Sequence, residues 1–328
     1  MELDIFIVHT LIKVLLILAV FSALAGFTTY LERKVLAFMQ RRLGPMYVGP
    51  YGLLQVAADG IKLFTKEDIV PTNSIKTVFK LAPVILPASA FIAFAGVPFL
   101  PDMEIMGETF QPLVVDSNAG ILFVLGMMAV GMFSPLLAGL SSGNKWSLLG
   151  GARTAIQLLS FEVITGLSVL APLMLVGSLS LIDINNYQIE NGWLVWQQPV
   201  AFFLFLIAGY AETNRTPFDL LEHEAEVVSG YATEYSGMRW GLFFIGEYVN
   251  MYIVSFLTVL IFFGGFGEGT FIDGVLYLAK TFFFIFLFLW TRAAWPHLRP
   301  DQLMWLTWKV LMPLAVVNIV VTGLWMMF

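Results

Sequence analysis

The sequence predicts an all-α polytopic membrane protein, and three observations carry that prediction. Of the 328 residues, 59% are hydrophobic and 12% are charged, whereas soluble domains have roughly 45–50% apolar and about 25% charged residues. The apolar residues form long uninterrupted runs, and the basic residues cluster in alternate connecting segments. A chain with this pattern has its helices in the bilayer and its charges at the two interfaces.

About eight runs are long enough to cross roughly 30 Å of hydrocarbon. The first run is too long for a signal peptide and lacks a small-residue cleavage site, so it is interpreted as a retained span. The predicted spans cover residues 5–31, 78–100, 118–139, 155–177, 199–214, 240–263, 274–292 and 305–327.

The basic residues predict the orientation of the chain. Of the 17 lysines and arginines, eight lie in or next to the segment between the first two spans, and six lie in every second segment after it. The intervening loops that follow Pro101 and Gly264 contain none. Because basic loops face the cytoplasm, both termini are predicted to be outside.

The first cytoplasmic segment contains a predicted amphipathic helix over residues 51–66. Leu53, Ala57 and Ile61 share one helical face, while Asp59 and Lys62 lie on another. The segment is too short and too polar to span, so we expect it to lie in the plane of the interface. A simple surface anchor is the alternative interpretation.

The cytoplasmic stretch 211–239 is unusually acidic for so apolar a chain. A carboxylate at a membrane boundary is costly unless it is paired or faces water, which makes it a candidate functional group. A solvated acidic loop is the alternative, although the interleaved apolar residues argue for a loop tucked into the protein. The acids of this stretch are Glu212, Asp219, Glu222, Glu224, Glu226 and Glu234.

Three of the charges inside the other predicted spans are further candidate functional groups. Glu162 and Glu247 each lie seven residues from the cytoplasmic end of a span, which is a depth of roughly 10 Å, and Lys280 lies nearer the outside. Carboxylates at a shared depth can form a proton relay if they line one water-filled cavity. Structural ion pairing with a nearby Arg or Lys is the alternative for each of them.

The composition also excludes several kinds of redox centre. The chain has no cysteine, so it can hold neither a disulfide nor a thiolate-bound iron–sulfur cluster. Its three histidines are far apart in the sequence and none lies in the middle of a span, which argues against a bis-histidine haem. We therefore expect no metal or haem on this chain.

Four ordered motifs resemble a known family. They are ERKVLAFMQRRLGPMYVGPYGLLQVAADGIKLFTKED, SLLGGARTAIQLLSFEV, AETNRTPFDLLEHEAEVVSGYATEYSG and GLFFIGEYVNM. The chain is similar along its length to the H subunit of the bacterial respiratory NADH:quinone oxidoreductase, the counterpart of core membrane subunit 1 of mitochondrial complex I. This resemblance implies eight transmembrane helices, an interfacial helix and a place at the joint between the peripheral and membrane arms.

The resemblance also implies a substrate, partners and roles for single residues. Quinone, either ubiquinone or menaquinone, would enter a chamber built with a peripheral-arm subunit that holds the last iron–sulfur cluster, in a bacterial inner membrane. The positions that match the chamber are Arg33, Arg42, Asp59, Arg215 and Arg292. The positions that match the proton-coupling chain are Glu162, Glu212, Asp219, Glu222, Glu224, Glu226, Glu234, Glu247 and Lys280.

Some alternatives stay open at this point. The segment WPHLRPDQLM departs from the family pattern at His297 and Pro300. A related subunit of a hydrogenase or other ferredoxin-driven complex would lack quinone, and a stand-alone cation transporter would use the same acids as an ion pathway. A transporter of that kind is expected to have internal repeats and broken spans, which the sequence does not display convincingly.

Overall fold

The structure, a computed structural model, describes residues 2–101, 103–105, 108–110, 113–115, 117–219, 228–268 and 270–327. Within these ranges the chain is mostly helical. A two-stranded antiparallel hairpin pairs β1 (Met103–Ile105) with β2 (Glu108–Phe110). The α-helices are α1 Glu2–Met39, α2 Gln55–Thr65, α3 Lys76–Ala95, α4 Gly120–Ser141, α5 Lys145–Val176, α6 Leu181–Asn191, α7 Leu194–Gln197, α8 Pro199–Glu212, α9 Gly237–Phe262, α10 Phe271–Ala294, α11 Pro300–Leu306 and α12 Met312–Trp325.

The helix lengths confirm the predicted all-α polytopic membrane class. Seven helical segments in the described part of the chain are long and apolar enough to cross a membrane, and α8 is a shorter apolar helix. One of the seven is composite, because a π-helical turn over Thr307–Leu311 joins α11 to α12. The predicted orientation of the termini stays a prediction.

Helix α9 is the centre of the bundle. Every residue from Gly246 to Phe262 is buried, and a helix that is apolar all round is stable only when other elements surround it. Helices α1, α2, α3, α6, α7, α8 and α10 all pack against it. Outer helices such as α1 and α12 instead expose large apolar side chains, including Leu15 and Val317, which is the surface that a bilayer requires.

Helix α2 lies within the predicted amphipathic range and covers one end of the bundle. It contacts α1 and α9, and no residue of it is fully buried. The segment after it is tied to the start of α9, because Arg239 Nη2 lies 2.8 Å from Asp68 Oδ2 and Ser236 Oγ donates to Glu67 O at 3.0 Å. These bonds hold α2 over the first turns of α9, at what we call the cavity end of the bundle.

The opposite end, here called the far end, is closed by two amides from α6, a helix that the sequence did not predict. Gln188 donates to Leu260 O at 2.7 Å and accepts from Gly264 N at 2.9 Å. Asn185 accepts from Phe266 N at 3.1 Å. The last carbonyls of a helix have no partner within that helix, so these side chains cap the buried C-terminus of α9.

A close backbone approach fixes the start of α5 against the acidic stretch. A Cβ built on Gly150 would lie 2.6 Å from Tyr231 N, so only glycine leaves room for the 3₁₀ turn Gly230–Ala232 at this distance. The turn in this way places the Tyr231 side chain beside α9, where its hydroxyl donates to Glu247 Oε1 at 3.3 Å.

Candidate functional site

A buried ion cluster at the cavity end joins four elements that are far apart in the sequence. Glu32 of α1 is 6% exposed, and its carboxylate accepts from Arg215 Nη1 at 3.1 Å, from Tyr248 Oη at 2.8 Å and from Arg292 Nη1. A buried carboxylate is tolerated only when it is paired and hydrogen-bonded. Glu32 satisfies that condition with two guanidinium groups and one phenol.

Arg215 is the most deeply buried cation of this cluster. It follows the end of α8, is 3% exposed, and stacks its guanidinium 4.6 Å from the centroid of the Tyr248 ring. Burial lowers the pKa of Arg215, but the neighbouring Glu32, Tyr248 and Glu247 together more than offset that effect, so the pKa is raised overall. Arg215 therefore keeps its charge, and together with Arg292 it gives the cluster two cations for one carboxylate.

A cavity of about 400 Å³ lies beside the cluster, between α1, α2, α9 and the end of α10. Its walls are mostly apolar, and its charged lining is supplied by Glu32, Arg33, Asp59 and Arg292. A volume in the range of about 300–1,000 Å³ with a few convergent polar groups is typical of a small-molecule site. The apolar lining residues are Ala25, Gly26, Val56, Gly60, Leu63, Phe64, Met238, Trp240, Gly241, Phe244 and Ile245.

The Arg33–Asp59 pair stands between this cavity and a second pocket of about 350 Å³. Arg33 Nη1 lies 2.6 Å from Asp59 Oδ2, and Gln55 Nε2 donates to Asp59 Oδ1 at 2.9 Å. Both side chains are partly exposed, so the pair contributes little to stability. Its position is the notable feature, because it links α1 to α2 across the lining of both pockets.

The remaining predicted chamber residue, Arg42, lies elsewhere. It follows the end of α1, is exposed, and donates through Nε to Gln40 Oε1 at 2.6 Å. Arg42 does not line either of the two pockets described above. The structure thus brings together Arg33, Asp59, Arg215 and Arg292 and leaves Arg42 on the surface.

Of the acids inside the helices, Glu247 lies close to the ion cluster. Glu247 precedes Tyr248 on α9 and is within electrostatic reach of Arg215, Arg292 and Asp219. Glu212, at the end of α8, and Glu162, on α5, line one small cavity together.

The other predicted coupling residues have separate surroundings. Glu234 Oε1 accepts from Asn144 Nδ2 at 2.6 Å, near the start of α5. Lys280 lies about 18 Å along α10 from Arg292, where its ammonium donates to Phe263 O at 2.7 Å and lies 4.9 Å from the Trp193 ring. Glu222, Glu224 and Glu226 lie outside the described residues.

Comparison with known proteins identifies the family. The model of the NADH dehydrogenase family matches residues 12–323. The H subunit of the NADH-quinone oxidoreductase of Wolinella succinogenes is 70% identical over 97% of this chain and 98% of its own length. The proteins of the same name from Nitratiruptor sp. and Sulfurimonas denitrificans are 69% and 61% identical, over 97% and 98% of this chain and 98% and 99% of their own lengths. The chain belongs to the family of NADH-quinone oxidoreductase H subunits.

In this member of the family, sequence reasoning missed the central residue of the site. Glu32 opens the first of the four motifs, but it directly precedes the basic pair Arg33–Lys34, and an acid at that place is usually solvated. One signal was available. Glu32 follows 27 residues that include no charge except Lys13, so it lies directly after the predicted end of the first span, at a membrane boundary where a carboxylate needs a partner.

Proposed function

We propose that this chain is the core membrane subunit of a proton-translocating NADH:quinone oxidoreductase, in which it forms much of the quinone chamber and couples quinone reduction to ion transport. The single observation that carries the proposal is the apolar cavity of about 400 Å³ that ends at a buried cluster of two arginines, a glutamate and a tyrosine. The names and identities of the related H subunits support it.

The chemistry of the cavity matches the chemistry of a quinone. A quinone has a long apolar tail and a ring with two carbonyl oxygens, which only accept hydrogen bonds until the ring is reduced. The apolar walls fit the tail, and the Arg292 guanidinium, which has several N–H groups, is a donor at the charged end. The fixed positive charge of the guanidinium also favours the negative charge that develops on the ring during reduction.

The electrons must come from a partner. Because the chain has no cysteine, no thiolate-held cluster can be built from it alone. We propose that a peripheral-arm subunit supplies the terminal iron–sulfur cluster and that other membrane-arm subunits receive the translocated charge. The quinone, ubiquinone or menaquinone, is the substrate, and the membrane is the bacterial inner membrane with the acidic stretch on the cytoplasmic side.

The coupling route begins at Glu247. The quinol product is neutral, because two protons balance the two electrons, but negative charge develops on the ring near Arg215 and Arg292 whenever an electron arrives before its proton. Glu247 is within electrostatic reach of both arginines, and the protonation state of such a group follows the charge of its neighbours. We propose that this change passes onward to Glu212 and Glu162 and then to the next membrane subunit.

A substitution that narrows the cavity tests the proposed quinone chamber in the assembled complex. Ser22 lines the cavity, whereas its neighbour Ala23 is exposed on α1 and does not. In S22W the indole occupies part of the space for the tail, so we expect KM for a long-tailed quinone to rise about tenfold or more. This magnitude corresponds to the lost burial of two methylene groups at ~0.8 kcal/mol each. A23W adds the same side chain outside the cavity and is the matched control.

Two results would contradict the proposal. One is an unchanged KM in an S22W complex that assembles as well as the A23W complex. The other is a purified complex that contains this chain and oxidises reduced ferredoxin but reduces no quinone, which would favour the hydrogenase-related alternative. A tail-less quinone analogue provides an internal check, because S22W is expected to affect it less than the long-tailed substrate.

A further inference from the structure

Two acidic residues from different helices line the same small cavity within the bundle. The space has a volume of about 10 Å³ and lies between α4, α5 and α8. Glu162 of α5 and Glu212 of α8 both line it, and Gln157 and Thr165 supply the other polar side chains. The remaining walls are Met132, Leu158, Phe161 and Ala211.

The two polar atoms of the Gln157 amide differ, because the nitrogen is hydrogen-bonded and the oxygen has no partner among the described residues. Its Nε2 donates to Ala211 O at 2.6 Å and lies 3.3 Å from Asn214 Oδ1. Because the Ala211 carbonyl can only accept, the nitrogen must face it, and this fixes the orientation of the amide. Oε1 has no hydrogen-bond partner in the described part of the chain, although Gln157 is 1% exposed.

A buried acceptor without a partner is uncommon in folded proteins and needs an explanation. The size and lining of the space supply one. A volume of roughly 10–15 Å³ is the least that holds a single water, and the water must find two to four polar partners. Gln157, Thr165, Glu162 and Glu212 are four residues with polar side chains that line one space of that size.

We propose that Gln157 positions a single water molecule that bridges Glu212 and Glu162 and carries a proton between them. The water donates one hydrogen bond to Gln157 Oε1 and accepts from whichever carboxyl group is protonated. In the transfer step the protonated Glu212 gives its proton to the water as the water gives a different proton to the Glu162 carboxylate. The products are Glu212 carboxylate, water and protonated Glu162, so atoms and charge balance, and the reverse step uses the same groups.

This inference rests on the proposed function, because the two glutamates are taken there as the coupling route. Gln157 is a positioning residue and does not itself change protonation. The alternative is a purely structural role, in which the hydrogen bonds of Nε2 only hold the end of α8 in place. The experiment therefore has to separate the acceptor half of the amide from the donor half.

The first test is a structure of the intact complex at a resolution that shows ordered water. We expect one density peak within hydrogen-bond distance of Gln157 Oε1 and of both carboxyl groups. A peak absent from well-defined density, or a direct contact between Gln157 Oε1 and a carboxyl oxygen that fills the space, would overturn the inference.

The second test compares three variants in complexes that assemble equally well, reconstituted in vesicles. Q157L removes both halves of the amide, and N214G removes only a partner of the donor half, at a position where Asn214 has a φ of 51° that glycine adopts without strain. Q157E restores the acceptor. We expect Q157L to slow proton translocation per quinone reduced about tenfold, the effect of one buried hydrogen bond, with N214G near the wild type and Q157E substantially restored.

A solvent-isotope measurement separates a relay from a packing defect. In Q157L proton transfer becomes rate-limiting, so the deuterium effect on translocation should increase, whereas N214G should leave it unchanged. Equal losses in Q157L and N214G would assign the amide a structural role and overturn the inference while leaving the proposed function intact. A wild-type complex that reduces quinone without moving protons would instead contradict the coupling part of the proposed function.

Discussion

The buried ion cluster makes a sharp prediction about Glu32. In Glu32→Gln the shape of the side chain is preserved, but the carboxylate that faces Arg215 and Arg292 is lost. Removing one partner of a buried ion pair leaves an uncompensated buried charge and costs about 3–5 kcal/mol. Arg292 is 31% exposed at its side chain and water can reach it, so we expect the lower end of that range, about 3 kcal/mol.

Asp59→Asn is the matched control for this substitution. It also converts a carboxylate that faces an arginine into an amide, at the same end of the bundle. The Arg33 and Asp59 side chains are 50% and 34% exposed, however, and an exposed pair contributes only about 0–1 kcal/mol. The two substitutions change the formal charge equally and differ mainly in burial.

Unfolding of the purified chain by SDS titration in mixed micelles measures the two free energies, with intrinsic tryptophan fluorescence as the probe. The double variant Glu32→Gln with Arg215→Gln removes charge from both partners, so we expect it to be less destabilised than the sum of the two single variants. A Glu32→Gln loss equal to that of Asp59→Asn would refute the reasoning, because it would mean that burial does not govern the cost of this carboxylate.

Two further predictions concern other parts of the fold. Gln188→Leu leaves the Leu260 carbonyl and the Gly264 amide without their side-chain partner at the far end, so the free energy of unfolding in the same titration should fall by about 1–3 kcal/mol. Quinone reduction by the assembled complex should be unchanged. A loss of activity without a loss of stability would contradict this prediction. Burial raises the pKa of Tyr235 from 10 to about 12, and its hydroxyl donates to Phe79 O at 3.1 Å. Because this pKa is higher in the folded than in the unfolded state, the protonated phenol stabilises the fold below pH 10, and this stabilisation is lost as the pH rises through about 10–12. Tyr235→Phe should therefore reduce the loss of stability at alkaline pH in the pH profile of unfolding.

The fold class could be predicted from sequence because the bilayer imposes simple rules. Long apolar runs have no other stable environment, and backbone polar groups in hydrocarbon must be satisfied within helices. Helix α6 was missed because these rules detect only long apolar runs. It lies between two spans and alternates polar and apolar residues, and the amides of Asn185 and Gln188 acquire their role only when α9 ends beside them.

The candidate site could be predicted only in part. Family resemblance indicated Arg215 and Arg292, but it did not indicate that one carboxylate holds both. Glu32 is 183 residues from Arg215 and 260 residues from Arg292, and no local pattern in the sequence records a contact over such distances. Arg42 carries the same charge in the same motif as Arg33, and only the path of the chain after α1 separates the two.

The sequence by itself determined that this chain crosses the membrane many times, that it cannot hold a thiolate-bound cluster, and that many of its acids are concentrated in the stretch 211–239. Those properties follow from composition and hydropathy, which act on each residue independently of its distant neighbours. The tertiary structure alone decided which charges meet. It placed Glu32 between two arginines, aligned an apolar cavity with that cluster, and enclosed Gln157 with Glu162 and Glu212 around one small space. Helix packing sets these positions, since each depends on side chains that only the folded bundle brings within hydrogen-bond distance.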